Sequence, residues 1–481
     1  MRVPPPPSPG IARRAGLLAA ISAIALSACA SLPPAAPARS AKAPRTYETQ
    51  ASLAAPVADW PGDRWWSAYG DAQLDQLIGE ALAGSPTLAS AEARVRRAQA
   101  AAAQARSAEL PTLSASASAQ ETKQSYNLGI PPQFVPQGYN DYGRVALDFN
   151  WELDFWGKNR AAVAAATSEA RAAQADAAEA RLVLSTNVAA AYADLARLYA
   201  ERDVAERAVA LQQETSQLVR DRVANGLDTR GEQRQAEAEP LQSRADLSAL
   251  DEQLALTRNR LAALLGAGPD RGLAIARPAA ATLKPFGLPP TLNAELVGRR
   301  PDVTAARWRA EAAASRIKEA RAAFYPNLNL AGFLGFQSLK LNRLFKDGSD
   351  VGSIGPAVSL PIFEGGRLRA GLRGAEADRD AAVASYDAAV TEAFRQVADA
   401  VASERALAGQ LADSRAALVA SEDAYRIARL RYQGGLSTYQ SVLIAEQGVL
   451  RRRRTVADLD ARALALDVAL VRALGGGFHA A

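Results

Sequence analysis

The sequence predicts a mainly α-helical chain bearing a membrane β-barrel portion, in which one plan, a strand pair followed by a long helical hairpin, is written twice. Three observations predict it. Of 481 residues, 49% are hydrophobic but only 6% aromatic, and alanine and leucine, both strong helix formers, carry most of the apolar content. Landmarks recur in one order along both halves: Pro86 and Pro301, Gly157 and Gly366, Arg160 and Arg369, Val188 and Val397, then Arg222-Val-Ala-Asn-Gly226-Leu227 and Arg431-Tyr-Gln-Gly-Gly435-Leu436. Repetition of this kind marks a duplicated supersecondary unit. Short segments also alternate apolar and polar residues with the period of a half-buried strand.

Composition excludes several function classes. The chain has one Cys, one Met and one His, too few for an intrachain disulfide, a cysteine zinc cluster or most His- and Cys-based catalysis. The single His, His479, lies near the C-terminus. No phosphate loop or metal-ligand spacing appears, and Glu237 and Glu239 fall in charged helix faces. No cofactor is expected beyond a covalent lipid on Cys29. The net charge of +5 leans on Arg2, Arg13 and Arg14, and residues 29–481 hold 53 basic against 51 acidic residues. A near-balanced surface is not one that binds nucleic acid.

The elements follow in order. Residues 1–28 form a signal peptide, with Arg13 and Arg14 before the apolar run Ala15 to Ala28, which is too short to span a bilayer. Leu26-Ser27-Ala28-Cys29 resembles a bacterial lipobox, whose cysteine takes the lipid and becomes the first mature residue. Ala30, where Asp commonly retains lipoproteins at the inner membrane, implies delivery to the outer membrane. Residues 29–58, rich in Pro, Ala and Ser with no helical or strand period, read as an extended tether. The first repeat spans residues 59–285, the second 286–474, and 475–481 form a tail.

Within each repeat a helix runs to a proline, roughly over residues 86–109 and 301–323. Period-two stretches come next. Leu113 to Ala119 is one, and Val145 to Phe155 another, with every odd residue apolar. Leu328, Leu330 and Phe333 lead a third strand, and Ile354 to Ile362 hold a fourth. Each copy supplies an antiparallel pair with a loop of roughly 20 to 30 residues. Lys158 to Asn225 contains neither Pro nor Gly and is long enough for a single helix of roughly 100 Å. Val163, Ala166, Ala170, Ala173, Ala177, Ala180 and Leu184 step along it at coiled-coil spacing. The second copy runs from Ala375 to Gln433. After tips at Gly226 and at Gly434-Gly435, helices return over about 229–265 and 437–474.

Four strands cannot close a barrel, and open edges are forbidden in lipid. Three chains supply twelve strands, an even number within the range of outer-membrane barrels. Val145 to Phe155 then faces lipid on its apolar side, and Asp148, Asn150, Glu152 and Asp154 face a wet lumen.

Several further blocks carry a family resemblance: Trp65-Trp66 with Tyr69-Gly70-Asp71 and Leu74; Trp151-Glu-Leu-Asp-Phe155-Trp-Gly157-Lys-Asn-Arg160; Gly287-Leu-Pro-Pro290; Arg299-Arg300-Pro301-Asp302-Val303; Phe324-Tyr-Pro-Asn-Leu328; and Arg431-Tyr432 with Gly435. From about residue 59 to 474 the chain resembles the TolC-like outer-membrane factors, in particular their NodT-type efflux lipoproteins. The resemblance implies a homotrimer with a β-barrel pore in the outer membrane and an α-helical tunnel in the periplasm. It implies docking to a periplasmic adaptor and an inner-membrane pump, passive passage of small solutes such as drugs or toxic compounds, and no enzyme activity. A type I protein-secretion channel shares the fold, and a coiled-coil lipoprotein scaffold shares the helices.

Arg222 to Asp228 and Arg431 to Ser437 resemble the family's helix-turn-helix ends at the periplasmic entrance, as helix caps, docking surfaces or both. Tyr432 matches an aromatic that, in related channels, bonds across helices to hold the entrance shut. Relatives place acidic residues just past the second tip, but Ser441-Val-Leu-Ile444 is uncharged here. Asp228 and Glu232, past the first tip, are the remaining candidates for a threefold ring of carboxylates. The candidate entrance residues are therefore Arg222, Gly226, Asp228, Glu232, Arg431, Tyr432 and Gly435.

Overall fold

A computed structural model describes residues 34, 38–127, 129–279 and 286–479. The signal segment and Cys29 lie outside the described residues. In chain order come α1 (Ala72–Gly84), α2 (Pro86–Ser107), β1 (Thr112–Thr122), β2 (Asn140–Glu152), α3 (Lys158–Ala224), α4 (Arg230–Leu264) and the short α5 (Pro269–Leu273). The second half supplies α6 (Leu292–Arg299), α7 (Pro301–Ala322), β3 (Asn327–Leu339), β4 (Asp350–Ser359), α8 (Arg367–Gln433) and α9 (Tyr439–Ala473). The chain divides into two compact units, and each draws on both halves. One is Met1–Ser40, Arg96–Ala172 and Arg307–Ser385; the other is Ala41–Val95, Ala173–Ala306 and Tyr386–Ala481.

The first unit holds the strands, in one antiparallel sheet of order β1-β2-β3-β4. Register decides the faces, because side chains alternate along a strand. Ala115 pairs with Leu147, and Leu147 with Leu334, which sits opposite Gly352. That row belongs to an apolar face carrying Leu113, Val145, Phe149, Leu330, Phe336, Ile354 and Val358. The next row, Ser114, Asp148, Phe333 and Ser353, belongs to a polar face, where Ser116 donates to Asp148 at 2.8 Å. Leu334 and Ile354 are 68% and 75% exposed, as expected of a face turned to lipid rather than to a core.

The strands correct the sequence reading in three places. Phe333 lies on the polar face, out of phase with Leu328 and Leu330, and the Arg144 guanidinium sits 5.0 Å over its ring. The alternation stops at Glu152, so Asp154 lines no lumen. It accepts the backbone N–H groups of Asn159 (3.2 Å) and Arg160 (2.9 Å) and so caps the start of α3. Phe155 and Ile362 also fall beyond strand ends. The loops, residues 123–139 and 340–349, are shorter than expected because the strands run further into them.

Aromatic groups hold the strand-to-helix junctions of this unit. Trp151 donates its indole N–H to the Glu109 carbonyl at 3.0 Å. Trp156 stacks on Tyr325 with centroids 4.7 Å apart and donates to the Pro326 carbonyl at 2.8 Å.

The second unit is helical. Asp71 caps α1 by accepting from Gln73 and Leu74 N–H, and its other oxygen accepts the Tyr192 hydroxyl of α3 at 2.7 Å. A core of Trp65, Trp66, Leu77, Ile78, Val188, Leu195 and Leu261 surrounds that link. The Arg-Arg-Pro-Asp-Val block is a structural knot. Buried Arg300 grips the Asp302 carboxylate (3.0 and 2.6 Å), Gln396 (2.7 Å) and the Ala473 carbonyl (3.1 Å), while Pro301 opens α7 where a missing N–H costs nothing. The end of the expected tether is not free chain. Lys42 N–H binds Asp387 at 3.0 Å, Tyr47 packs on Phe394 at 5.4 Å, and Val57 bridges Leu288 in parallel.

Candidate functional site

The ends of α3 and α8 are built alike, and all of the tip geometry lies within the second unit. Leu227 N–H reaches the Arg222 carbonyl (2.9 Å) and Gly226 N–H the Val223 carbonyl (3.0 Å); in the second copy, Leu436 reaches Arg431 (2.7 Å) and Gly435 reaches Tyr432 (3.0 Å). This pair of bonds needs a left-handed residue, and Gly226 and Gly435 have φ of 70° and 72°. Both tips are thus glycine-terminated Schellman caps.

Beyond the shared backbone the two tips diverge. The Arg222 guanidinium meets the Asp228 carboxylate through two bonds of 2.9 and 3.3 Å, with side chains only 12% and 8% exposed. It also donates to the Tyr432 carbonyl at 2.8 Å and lies 4.4 Å over the Tyr432 ring. The Tyr432 hydroxyl donates to the same Asp228 carboxylate, and its ring is wholly buried against Tyr439. Burial first, and then the hydrogen bond to Asp228 and its charge, push the phenol well above its ordinary pKa, so it stays a donor. One carboxylate, one guanidinium and one phenol therefore tie the end of α8 to the turn after α3.

The second tip supplies Tyr432 to this lock but has no carboxylate of its own. Ser437 stands where Asp228 stands in the first copy, and its hydroxyl is buried without a partner. Arg431 is exposed and makes no ion pair among the described residues.

Both candidates for the ring of carboxylates are engaged within the chain. The Asp228 carboxylate is largely buried and already paired with Arg222 and Tyr432. Glu232 folds back on its own helix: it accepts Thr229 N–H and hydroxyl at 2.9 Å each, while Thr229 Oγ1 accepts Glu232 N–H at 3.3 Å. Both are the reciprocal bonds of a capping box, a signal present in the sequence as Thr229-x-x-Glu232. The reading of the sequence missed Glu446, a buried carboxylate of α9 that accepts from Thr215 at 3.0 Å. Repetition does not mark it, since Glu237, at the matching position of the first repeat, is paired at the surface.

A sheet with an exposed apolar side and two outer strands, in a chain that also forms two long helical hairpins, defines a subunit of an outer-membrane channel. A coiled-coil scaffold would have no use for such strands. Residues 77–267 and 292–476 match the family described as outer membrane efflux protein, and the chain belongs to that family. It is 32% identical over 428 residues to the multidrug resistance outer membrane protein MdtP of Escherichia coli K12, covering 88% of each chain. It is 39% identical over 324 residues to the fusaric acid resistance protein FusA of Burkholderia cepacia, and that match spans 61% of FusA. Among solved structures, the outer membrane protein VceC of Vibrio cholerae superposes with a TM-score of 0.83 at 46% identity, over 87% of this chain and all of VceC. The protein is thus an efflux channel of the outer membrane, of the kind that works as a trimer with a periplasmic adaptor and an inner-membrane pump.

Proposed function

We propose that the trimer passes small toxic compounds, drug-like molecules among them, from an adaptor and pump to the outside, and that the Arg222–Asp228–Tyr432 cluster holds its periplasmic entrance shut at rest. The multidrug and fusaric acid resistance named for MdtP and FusA supports the substrate class. The observation that carries the gate is the buried Tyr432–Asp228 bond, which joins the two repeats at their tips. The exposed second tip, with Arg431, is the docking surface for the adaptor. Cys29 carries the lipid that adds a second hold on the membrane, beside the barrel itself.

The test removes the bond and keeps the ring. A hydrogen bond to a charged acceptor contributes about 1.5–3 kcal/mol, and each trimer has three. Tyr432→Phe should raise open probability in planar bilayers at least tenfold without the pump, since about 1.4 kcal/mol is a factor of ten. Unchanged conductance would reject the gate and leave the tips as docking surfaces. Mass spectrometry of the mature N-terminus should find an acylated Cys29, and an unmodified peptide starting upstream would reject the anchor.

A further inference from the structure

A second carboxylate sits in the packed helices behind the tips. Glu446 of α9 is 2% exposed, on the helix face it shares with buried Val442, Leu443, Val449 and Leu450. Thr215 of α3 places its hydroxyl 3.0 Å from Glu446 Oε2 and 3.1 Å from the Leu211 carbonyl. A hydroxyl has one proton to give. If Glu446 is ionised, Thr215 serves either the carboxylate or the Leu211 carbonyl, which already accepts the helical N–H of Thr215, so the buried charge has at most this one side-chain donor among the described residues. If Glu446 is protonated, it donates to Thr215, Thr215 donates to Leu211, and the chain of bonds is complete.

The surroundings favour the proton too. Glu446 has no ion pair among the described residues. From α8 it faces Arg429, which is engaged by Glu214 of α3 at 3.4 Å, and Tyr425, whose hydroxyl is buried beside Thr215. From α4 it faces Glu239, and from its own helix Tyr439. Burial is the main cause that pushes the carboxyl up to about 7, with Glu239 adding and Thr215 and Arg429 opposing. The first repeat provides the contrast. Glu237 stands as far past Gly226 as Glu446 does past Gly435, yet it is paired at the surface by Gln233 (2.9 Å) and Arg234 (2.8 Å).

We propose that Glu446 is a proton-held closure: neutral while α3, α4, α8 and α9 pack around it, ionised as they part, so that acid keeps the entrance shut and rising pH loosens it. The idea rests on the reading of these tips as the entrance. The sign follows from the carboxyl's position. A group raised from 4.5 to about 7 in the packed state gives its full stabilisation below 4.5, and loses it as pH climbs through about 7. Within that window each Glu446 that ionises on opening lowers the closed-to-open ratio by up to tenfold per pH unit.

The experiment compares the wild-type trimer with Glu446→Gln, whose amide donates to Thr215 as the protonated carboxyl does. Trimer assembly is checked first by native gel. Open probability in bilayers is then recorded from about pH 5 to pH 8, together with the protonated-carboxyl band in infrared difference spectra. Wild type should open at least tenfold more at the alkaline end and lose a carboxyl band on the way. Glu446→Gln should lack both changes and stay at the acid level. A Glu446→Gln channel that keeps the pH step, or a wild type without a titrating band, overturns the proposal. If Tyr432→Phe opens the channel but pH does not, the proposal alone fails. If neither opens it while the band titrates, the entrance reading fails and takes the proposal with it.

Discussion

Arg222 meets three groups at once, and their unequal worth orders the outcomes of substitution. Removing one partner of a buried ion pair leaves an uncompensated charge, at a cost of about 3–5 kcal/mol. Asp228→Ala should therefore open the channel more than Tyr432→Phe. The double variant Arg222→Ala/Asp228→Ala should be less open than the two single effects combined, because no lone charge remains. Bilayer open probability measures all four, and strict additivity would show that the three groups do not act as one unit. Thr229 and Glu232 act locally. Thr229→Ala should cost the start of α4 about 1 kcal/mol, seen as faster amide exchange there. Glu232→Gln preserves the capping box and should leave ion selectivity unchanged; a loss of cation preference would put the Glu232 carboxylate in the bore after all.

At the scale of elements, the first long helix was legible because Lys158 to Asn225 lacks Pro and Gly, and the returning helices and both glycine turns were legible too, but α8 starts at Arg367 rather than Ala375 because Gly371 and Gly374 are carried inside its first turns. The partner of Arg222 was not legible. Asp228 follows six residues later across a turn, and only the folded tip turns it inward toward Tyr432 of the other repeat. Strand ends were misjudged for a similar reason. The alternation up to Phe155 continues past the point where Asp154 is drawn off to cap α3. Two residues that break local rules also test the elements. Pro240 lies inside α4, where it withholds an N–H from the Ala236 carbonyl. Pro240→Ala should slow amide exchange over residues 233–244, and unchanged exchange would mean that tertiary packing already holds that turn. Gly335 has no room for a side chain, since a Cβ would sit 2.1 Å from the Val145 carbonyl. Gly335→Val should abolish β2–β3 pairing and with it the heat-resistant trimer band on a semi-native gel.

For the whole molecule, β1 and β4 are the outer strands of the sheet, and closure in lipid requires each to pair with a neighbouring copy. A cysteine scan along Thr112–Thr122 against a fixed Ser353→Cys, in a chain whose one native Cys is Cys29, should yield disulfide-linked species up to three chains. A scan that gives only monomers would reject closure through these edges. The lock between the two tips then has a mechanical consequence. Three chains present six hairpin ends, and in each chain Arg222, Asp228 and Tyr432 tie the end of α8 to the turn after α3, so the six ends move as three coupled pairs. Such a ring behaves like an iris with three double leaves. It dilates with threefold rather than sixfold freedom, and its conductance should climb through discrete sublevels, one for each clamp released.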